Sequence, residues 1–268
     1  MSRNLPNGIA ETLGDTLVTS SPLFITGDLH YVDSSNAAAD DSAGYGESKS
    51  RPFATLAYAV SVASGGDIVV LLEGHSEQFA TELDITQALT IVAAGETDGV
   101  PTVTLNNLAA SGYMLRLSAS GCELRNIRFV QHPSASGIPH VNIAASGCRI
   151  IGCRFEAGED NSAYCVTVND SLVTCIKDCT FISVSDDPAN QPTGGLLGPG
   201  LGTLFLDNCV FDDGDVGYSS FAFRWTTAPR IHASGCSFLN GAVASGGEAG
   251  DVFFVGGTMT GGVQLIEE

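Results

Sequence analysis

The sequence predicts an all-β chain wound as a parallel β-helix, a solenoid of short strands. Three observations predict it. One small unit recurs six times between Cys122 and Met259: two inward-facing residues, a two-residue bend, and two more inward-facing residues. The second bend residue is in turn Asn126, Gly152, Asp178, Asn208, Gly235 and Gly256, all types that tolerate the left-handed backbone region. These bends are 26, 26, 30, 27 and 21 residues apart, a period suited to stacked coils.

The copies are explicit. Cys122 and Leu124 precede the first bend, and Ile127 and Phe129 follow it. The next four copies place Cys148, Ile150, Cys153 and Phe155; Thr174, Ile176, Cys179 and Phe181; Leu204, Leu206, Cys209 and Phe211; and Ile231, Ala233, Cys236 and Phe238 at the same phases. The last has Val252, Phe254, Gly257 and Met259. Apolar residues two apart put one face of each strand inward. The first two coils align without a gap as MLRLSASGCELRNIRF and HVNIAASGCRIIGCRF. A leucine-rich repeat would need a Leu-x-x-Leu-x-Leu pattern that this chain lacks. A β-sandwich gives no reason for Asn, Asp or Gly at one fixed phase.

In chain order, residues 1–27 form an N-terminal arm, polar and broken by Pro6, Gly8, Gly14 and Pro22, with one strand-like stretch at Thr16–Thr19. Residues 28–74 form an opening and capping unit. Leu56, Ala59, Val60 and Ala63 are spaced as one face of a short helix that Gly65-Gly66 stops, and Asp67–Leu72 reads as a buried strand. Such a helix covers the open apolar end of a solenoid. Residues 75–268 form the β-helix itself. Leu83–Ile85, Leu89–Val92 and Val103–Leu105 read as early strands, Val252–Phe254 as the last coil and Val263–Ile266 as an end strand. The count is about seven coils, a column ~30–35 Å long at the inter-strand spacing.

Several segments of the opening unit carry a resemblance. They are Tyr31-Val32-Asp33, the Gly44–Gly46 turn, Arg51-Pro52-Phe53-Ala54-Thr55-Leu56, Ala59, Gly66-Asp67-Ile68-Val69 and Glu73-Gly74. They resemble the start of right-handed parallel β-helix proteins of the pectate-lyase-like superfamily, and of bacteriophage spike, fibre and decoration proteins. With the repeats, the resemblance covers about Tyr31 to Met259. It implies a right-handed coil. It says little about chemistry, because this fold hosts lyases, hydrolases, epimerases and non-enzymatic virion proteins.

Composition excludes some classes. With 11 Lys and Arg against 30 Asp and Glu, the formal charge is −19, unsuited to neutralising nucleic-acid phosphates. The longest apolar run, Ile68–Leu72, is far too short for a bilayer span, and Met1–Pro6 leads into no apolar signal region. The expectation is synthesis in a host cytoplasm and residence in a virion, without nucleic-acid or membrane partners. Six of the eight cysteines share repeat phases, Cys153, Cys179, Cys209 and Cys236 at one and Cys122 and Cys148 at another. They read as a ladder of reduced thiols that fill core space. Without a Cys-x-x-Cys pair, zinc is not expected.

Any active site would draw on the longer connections Gln131–Pro139, Glu156–Ala163, Ser183–Gly202 and Asp212–Ser220, which leave the coil at one phase. They carry His132, His140, Glu156, Glu159, Asp160, Asp186, Asp187, Asp212, Asp213 and Asp215. Glycoside hydrolysis needs two carboxylates ~5–9.5 Å apart, which Asp186 or Asp187 with Asp212 or Asp213 would supply. Elimination from uronates needs an Arg or Lys base, and Arg128 and Arg154 share an outward phase with Asp178 nearby. The plainer reading is that these arginines are bridged by Glu156 or Asp178 and that the histidines are solvent-exposed. Asp212, Asp213 and Asp215 form an acidic turn that is a weak calcium candidate, because it lacks the full twelve-residue loop. No cofactor is expected. The favoured function is a non-enzymatic, homotrimeric structural protein of a tailed bacteriophage, decorating a capsid or forming a short spike or fibre, and anchored on capsid or tail proteins through the arm. The alternatives are a polysaccharide lyase or glycoside hydrolase, and a carbohydrate-binding adhesin that meets a host glycan.

Overall fold

The computed structural model describes residues 27–107, 112–131, 138–158, 164–169, 173–185, 191–198, 202–214, 223–225, 230–240, 244–246, 252–255 and 265–267. The chain is a parallel β-helix. Successive turns contribute strands to three long sheets, here named A, B and C, and the pairings within each are parallel. Sheet A has nine strands, from Leu29–Val32 and Ile68–Leu71 through Cys148–Ile151 to Val252–Val255. Sheet B has seven, from Ser76–Phe79 through Arg154–Ala157 to Ser237–Leu239. Sheet C has eight, from Leu83–Ile85 through Val141–Ile143 to Leu265–Glu267.

The repeated bend joins sheet A to sheet B. Asn126, Gly152, Asp178, Asn208 and Gly235 have φ of 55, 63, 52, 54 and 64°, so all five lie in the left-handed region. Gly256 lies outside the described residues. The bends stack by backbone bonds: Asn126 N–H donates to Ile151 O at 3.0 Å, Gly152 N–H to Lys177 O at 2.9 Å and Asp178 N–H to Asp207 O at 2.8 Å. Asn and Asp add side-chain rungs, and Asn208 Nδ2 donates to Asp178 Oδ1 at 2.8 Å. Such rungs answer polar groups that a sharp corner would leave without partners.

Inside, the register places like on like. Phe129, Phe155, Phe181, Phe211 and Phe238 are successive partners in sheet B. Their rings stack at 4.8, 5.0, 5.0 and 4.9 Å, with interplanar angles of 4, 8, 6 and 12°. That spacing matches the distance between neighbouring strands, so each ring meets the next without leaving its rotamer. One buried apolar cluster runs from Val32 to Phe238. All eight cysteines are free, seven of them buried and Cys175 partly so. Cys153, Cys179 and Cys209 each approach a carbonyl of the preceding turn, Leu124 O, Ile150 O and Ile176 O respectively. Burial pushes the Cys165 thiol well above its ordinary value.

Sheet C supplies a third strand per turn that the two-strand repeat unit does not contain. The aligned segments MLRL and HVNI hold its strands Leu115–Leu117 and Val141–Ile143. A two-stranded hairpin also projects after sheet A, pairing Glu96–Thr97 with Val100–Pro101. Its turn is Asp98-Gly99, both at positive φ, the dipeptide that hairpins prefer.

At the start of the column a seven-residue helix, Leu56–Val62, buries Leu56, Ala59 and Val60 against the same core. Thr55 caps it, its side chain accepting from Tyr58 N–H, and Glu77 Oε2 accepts from Leu56 N–H at 2.7 Å. Asp41 binds Ala54 N–H, Thr55 N–H and the Thr55 hydroxyl, tying the preceding loop to the cap.

Truncating one ring at the middle of the ladder tests this packing. Phe155→Ala should lower unfolding free energy by ~3–5 kcal/mol, read by urea denaturation, because Phe155 is fully buried. A loss below ~1 kcal/mol would show that the rings do not pack as one stack.

Candidate functional site

Three of the charged groups singled out in the sequence, Arg128, Arg154 and Glu156, meet on the outer face of sheet B. Arg128 and Arg154 are register partners on neighbouring strands, and Val130 is paired with Glu156. Arg128 grips Glu156 with two bonds, Nε to Oε1 at 3.0 Å and Nη2 to Oε2 at 2.7 Å. Arg154 Nε donates to the same Oε1 at 2.6 Å. Glu156 is 6% exposed. Burial pushes its carboxyl up, but the bonds and charges of Arg128 and Arg154 outweigh that and hold it below the usual carboxylate range. The Glu156 bond in turn raises Arg128 above its ordinary value, against a smaller effect of burial.

That direction bears on chemistry. A base that abstracts a proton from a uronate must itself be available in the deprotonated form. A guanidinium locked to a buried carboxylate moves away from that state. The trio is built as an ion-pair clasp across two turns. Glu156 belongs to the strand Arg154–Ala157 and not to the connection in which the sequence placed it. Asp178 sits in the bend column and accepts from Asn208.

The acidic turn is partly described. Asp212 ends the strand Val210–Asp212, and its Oδ1 accepts from Gly214 N–H at 3.0 Å and Asn240 Nδ2 at 2.7 Å. Asp213 N–H donates to Leu239 O at 3.3 Å. Gly214 has φ of 64°, and a Cβ there would meet Ser183 O at 2.1 Å, so the turn packs directly on the coil below. Asp186, Asp187 and Asp215 lie outside the described residues, as do His132, Glu159 and Asp160. Among the described residues, no group of three or more His, Cys, Asp and Glu is arranged to hold a metal ion. The long connections follow successive sheet B strands ending at Gln131, Ala157, Ser183 and Asp212, which gives them the common phase expected.

The histidines depart from expectation. His75 and His140 are fully buried, not solvent-exposed. His75 Nδ1 accepts from Ser34 N–H at 3.0 Å, and its Nε2 lies 3.3 Å from Glu77, the residue that binds the helix start. His30 Nε2 lies 3.1 Å from Asp67, which also accepts from Asp28 N–H and Ser64 N–H. His140 is wedged beside the ring ladder, its centroid 6.3 Å from both Phe129 and Phe155. Neither of its ring nitrogens meets a hydrogen-bond partner at normal geometry. Burial, partly offset by the nearby Val130 backbone and the Glu156 charge, brings its pKa down to about 4. A lone histidine carries no periodic signal. The sequence clue was position: His140 immediately precedes the inward strand Val141–Ile143.

No protein-family model matches the chain, and no curated protein matches it. Among solved structures it is similar to ORF18 of Geobacillus virus E2, with a TM-score of 0.40 and 10% identity over 89% of this chain and 61% of that one. It is also similar to a rhamnogalacturonan lyase, with a TM-score of 0.38 and 12% identity over 82% of this chain and 74% of that one. The chain thus spans about 61% of the length of the viral protein. No helix among the described residues is long and apolar enough to cross a membrane.

His140 makes stability depend on pH. Its folded pKa of about 4 lies below the ordinary 6.5. Above pH ~6.5 neither state takes the proton and stability is full. As pH falls toward 4 the unfolded chain binds a proton that the column excludes, and up to roughly 3 kcal/mol is lost. Urea midpoints from pH 4 to 8 should show this slope in the natural chain and a flatter one in His140→Leu. Equal slopes would place His140 in contact with water.

Proposed function

We propose that this chain is a non-enzymatic structural column of a tailed-bacteriophage particle, a homotrimer that decorates a capsid or forms a short spike or fibre. Its attachment to capsid or tail proteins runs through residues 1–27. The sequence resemblance of the opening unit motivates the class. One observation supports the choice within it: among the described residues, the outward charged groups Glu156, Asp212 and Asp178 are engaged with neighbouring groups. Glu156 is clasped by Arg128 and Arg154, Asp212 by Gly214 N–H and Asn240, and Asp178 by Asn208. Side chains tied in this way resist reorganisation around a substrate, while they stiffen neighbouring turns against shear.

The stacked interior supports the same reading. Aromatic rings repeated at 4.8–5.0 Å from Phe129 to Phe238 make successive turns of one continuous packed unit. A particle component benefits from such stiffness. An overall charge of −19 keeps assembled columns apart and soluble. Three identical attachment segments on one trimer multiply a weak contact.

The test has three arms on one preparation. Light scattering of the intact protein should give three times the chain mass. Removal of residues 1–27 should leave a folded trimer that no longer binds its particle. Incubation with neutral and acidic polysaccharides should release neither reducing ends nor unsaturated uronates. Turnover that is abolished by substituting Asp186, Asp187, Asp212 or Asp213 would replace this reading with a β-helix hydrolase or lyase. Glycan retention without turnover would replace it with an adhesin.

A further inference from the structure

The two columns of cysteines differ in what surrounds them. Cys153, Cys179, Cys209 and Cys236 each follow a corner between sheets A and B. Side chains brace those corners: Asn208 bonds to Asp178, and Asn126 Nδ2 donates to Ala93 O and Gly95 O. Cys153, Cys179 and Cys209 each also lie near two carbonyls, one two residues back in the chain and one from the turn before. Cys122 and Cys148 form a separate pair. The turn that follows them has Thr174 at this phase, in register with Cys148.

Register sets the pair. Glu123 is the partner of Arg149, so Cys122 and Cys148, one residue earlier, stand side by side on neighbouring turns. Arg149 N–H donates to Cys122 O at 2.9 Å, and both cysteines belong to the buried core. Neighbouring strands put their Cα atoms ~4.8 Å apart, inside the ~4.4–6.8 Å that a disulfide spans. Its Cβ atoms lie ~3.8 Å apart, so closure asks for ~1 Å of movement. The residue before each cysteine is suited to give it. Gly121 and Gly147 are exposed, with φ of 81 and 75°, and a Cβ on Gly121 would meet nothing within 4 Å. Each thiol is therefore one residue from an open glycine turn.

The two thiols are unequal. Hydrogen bonding from Cys148 is the largest influence on Cys122 and, with the Leu89 and Ala119 backbone, brings it down to about 7 against burial and the Asp84 charge. The same bond, with burial, pushes Cys148 up. Cys122 is thus the member that reaches the thiolate state, the form that attacks an oxidant. Beside it stands a second thiol able to resolve the product.

We propose that Cys122 and Cys148 are an oxidation site, which a small peroxide converts to a disulfide between neighbouring turns. Cys122 Sγ attacks one peroxide oxygen and the O–O bond breaks. The leaving hydroxide departs as water with the proton that Cys122 gave up, and Cys122 is left as a sulfenic acid. Cys148 Sγ then attacks the Cys122 sulfur. The S–S bond forms, the S–O bond breaks, and the hydroxyl leaves with the Cys148 proton as a second water. The two thiols lose two electrons and the peroxide gains them. The product carries no charge, which suits a buried position. The site needs no partner and no second copy, so it stands apart from the chain's proposed assembly.

The reduced full chain is titrated with hydrogen peroxide until Cys175, the one partly exposed cysteine, is oxidised. It is then denatured, alkylated and digested without reductant. Mass mapping should show Cys122 linked to Cys148 in most chains, reversed by dithiothreitol, with Cys153, Cys179, Cys209 and Cys236 alkylated. In Cys148→Thr, which copies Thr174 of the following turn, Cys122 has no resolving partner and should stop at the sulfenic acid, trapped by dimedone. If that variant does not fold, Cys148→Ala takes its place. Alkylated Cys122 and Cys148 once Cys175 is oxidised, or a disulfide in the other column in preference to this one, overturns the site. A folded Cys148 variant without the dimedone product at Cys122 overturns Cys122 as the attacking thiol.

Discussion

Stacking at one strand spacing is the constraint on which the rest of this structure depends. In a parallel β-helix every residue lies directly above and below its counterparts in neighbouring turns. Whatever occupies a phase must tolerate itself at ~4.8 Å. Phenylalanine does so well, because flat rings offset slightly and stack, as from Phe129 to Phe238. Cysteine does so by being small and by donating weakly to the carbonyl of the turn before.

Charge tolerates itself poorly, and the outer surface shows the remedy. Arg128 and Arg154 are forced into register by the ladder. Two guanidinium groups at that distance repel, and Glu156 on the second strand resolves the conflict by bonding to both. The same device recurs on sheet A. Glu123 answers Arg125 and Arg149, and Asp207 answers Lys177. Among the described residues, the Arg128, Glu156 and Arg154 cluster ties two neighbouring turns together on this flank.

What could be read from the sequence follows from the same rule. Phases that repeat a residue type are legible, so the left-handed bends, the phenylalanine ladder and the thiol ladder are visible as patterns. Sheet C is less legible because its outer row varies from Arg116 to Asn142, Thr167 and Leu197. The Arg128, Glu156 and Arg154 clasp was accessible, since its members share one face at a known period. The bond from Asn240 to Asp212 was not, because its residues are 28 apart and Asn240 follows only the fifth copy of the unit. The buried positions of His75 and His140 were missed because a single residue has no period to read. The hairpin at Glu96–Pro101 was missed, although Asp98-Gly99 is a local signal for it outside the coil repeat.

The central claim is that a left-handed corner, repeated once per turn, sets the register of the whole stack. Position 152 tests it most directly, because its φ of 63° stands between the Asn126 and Asp178 corners and a Cβ there would come no closer than 4.0 Å to the Asn126 backbone. Space is therefore available, and backbone conformation alone decides the outcome. Urea denaturation of Gly152→Asn and Gly152→Val should give a near-natural midpoint for Asn and a loss of at least ~1–2 kcal/mol for Val. Equal stability of the two variants would contradict the account, since it would mean that the corner does not depend on the left-handed region.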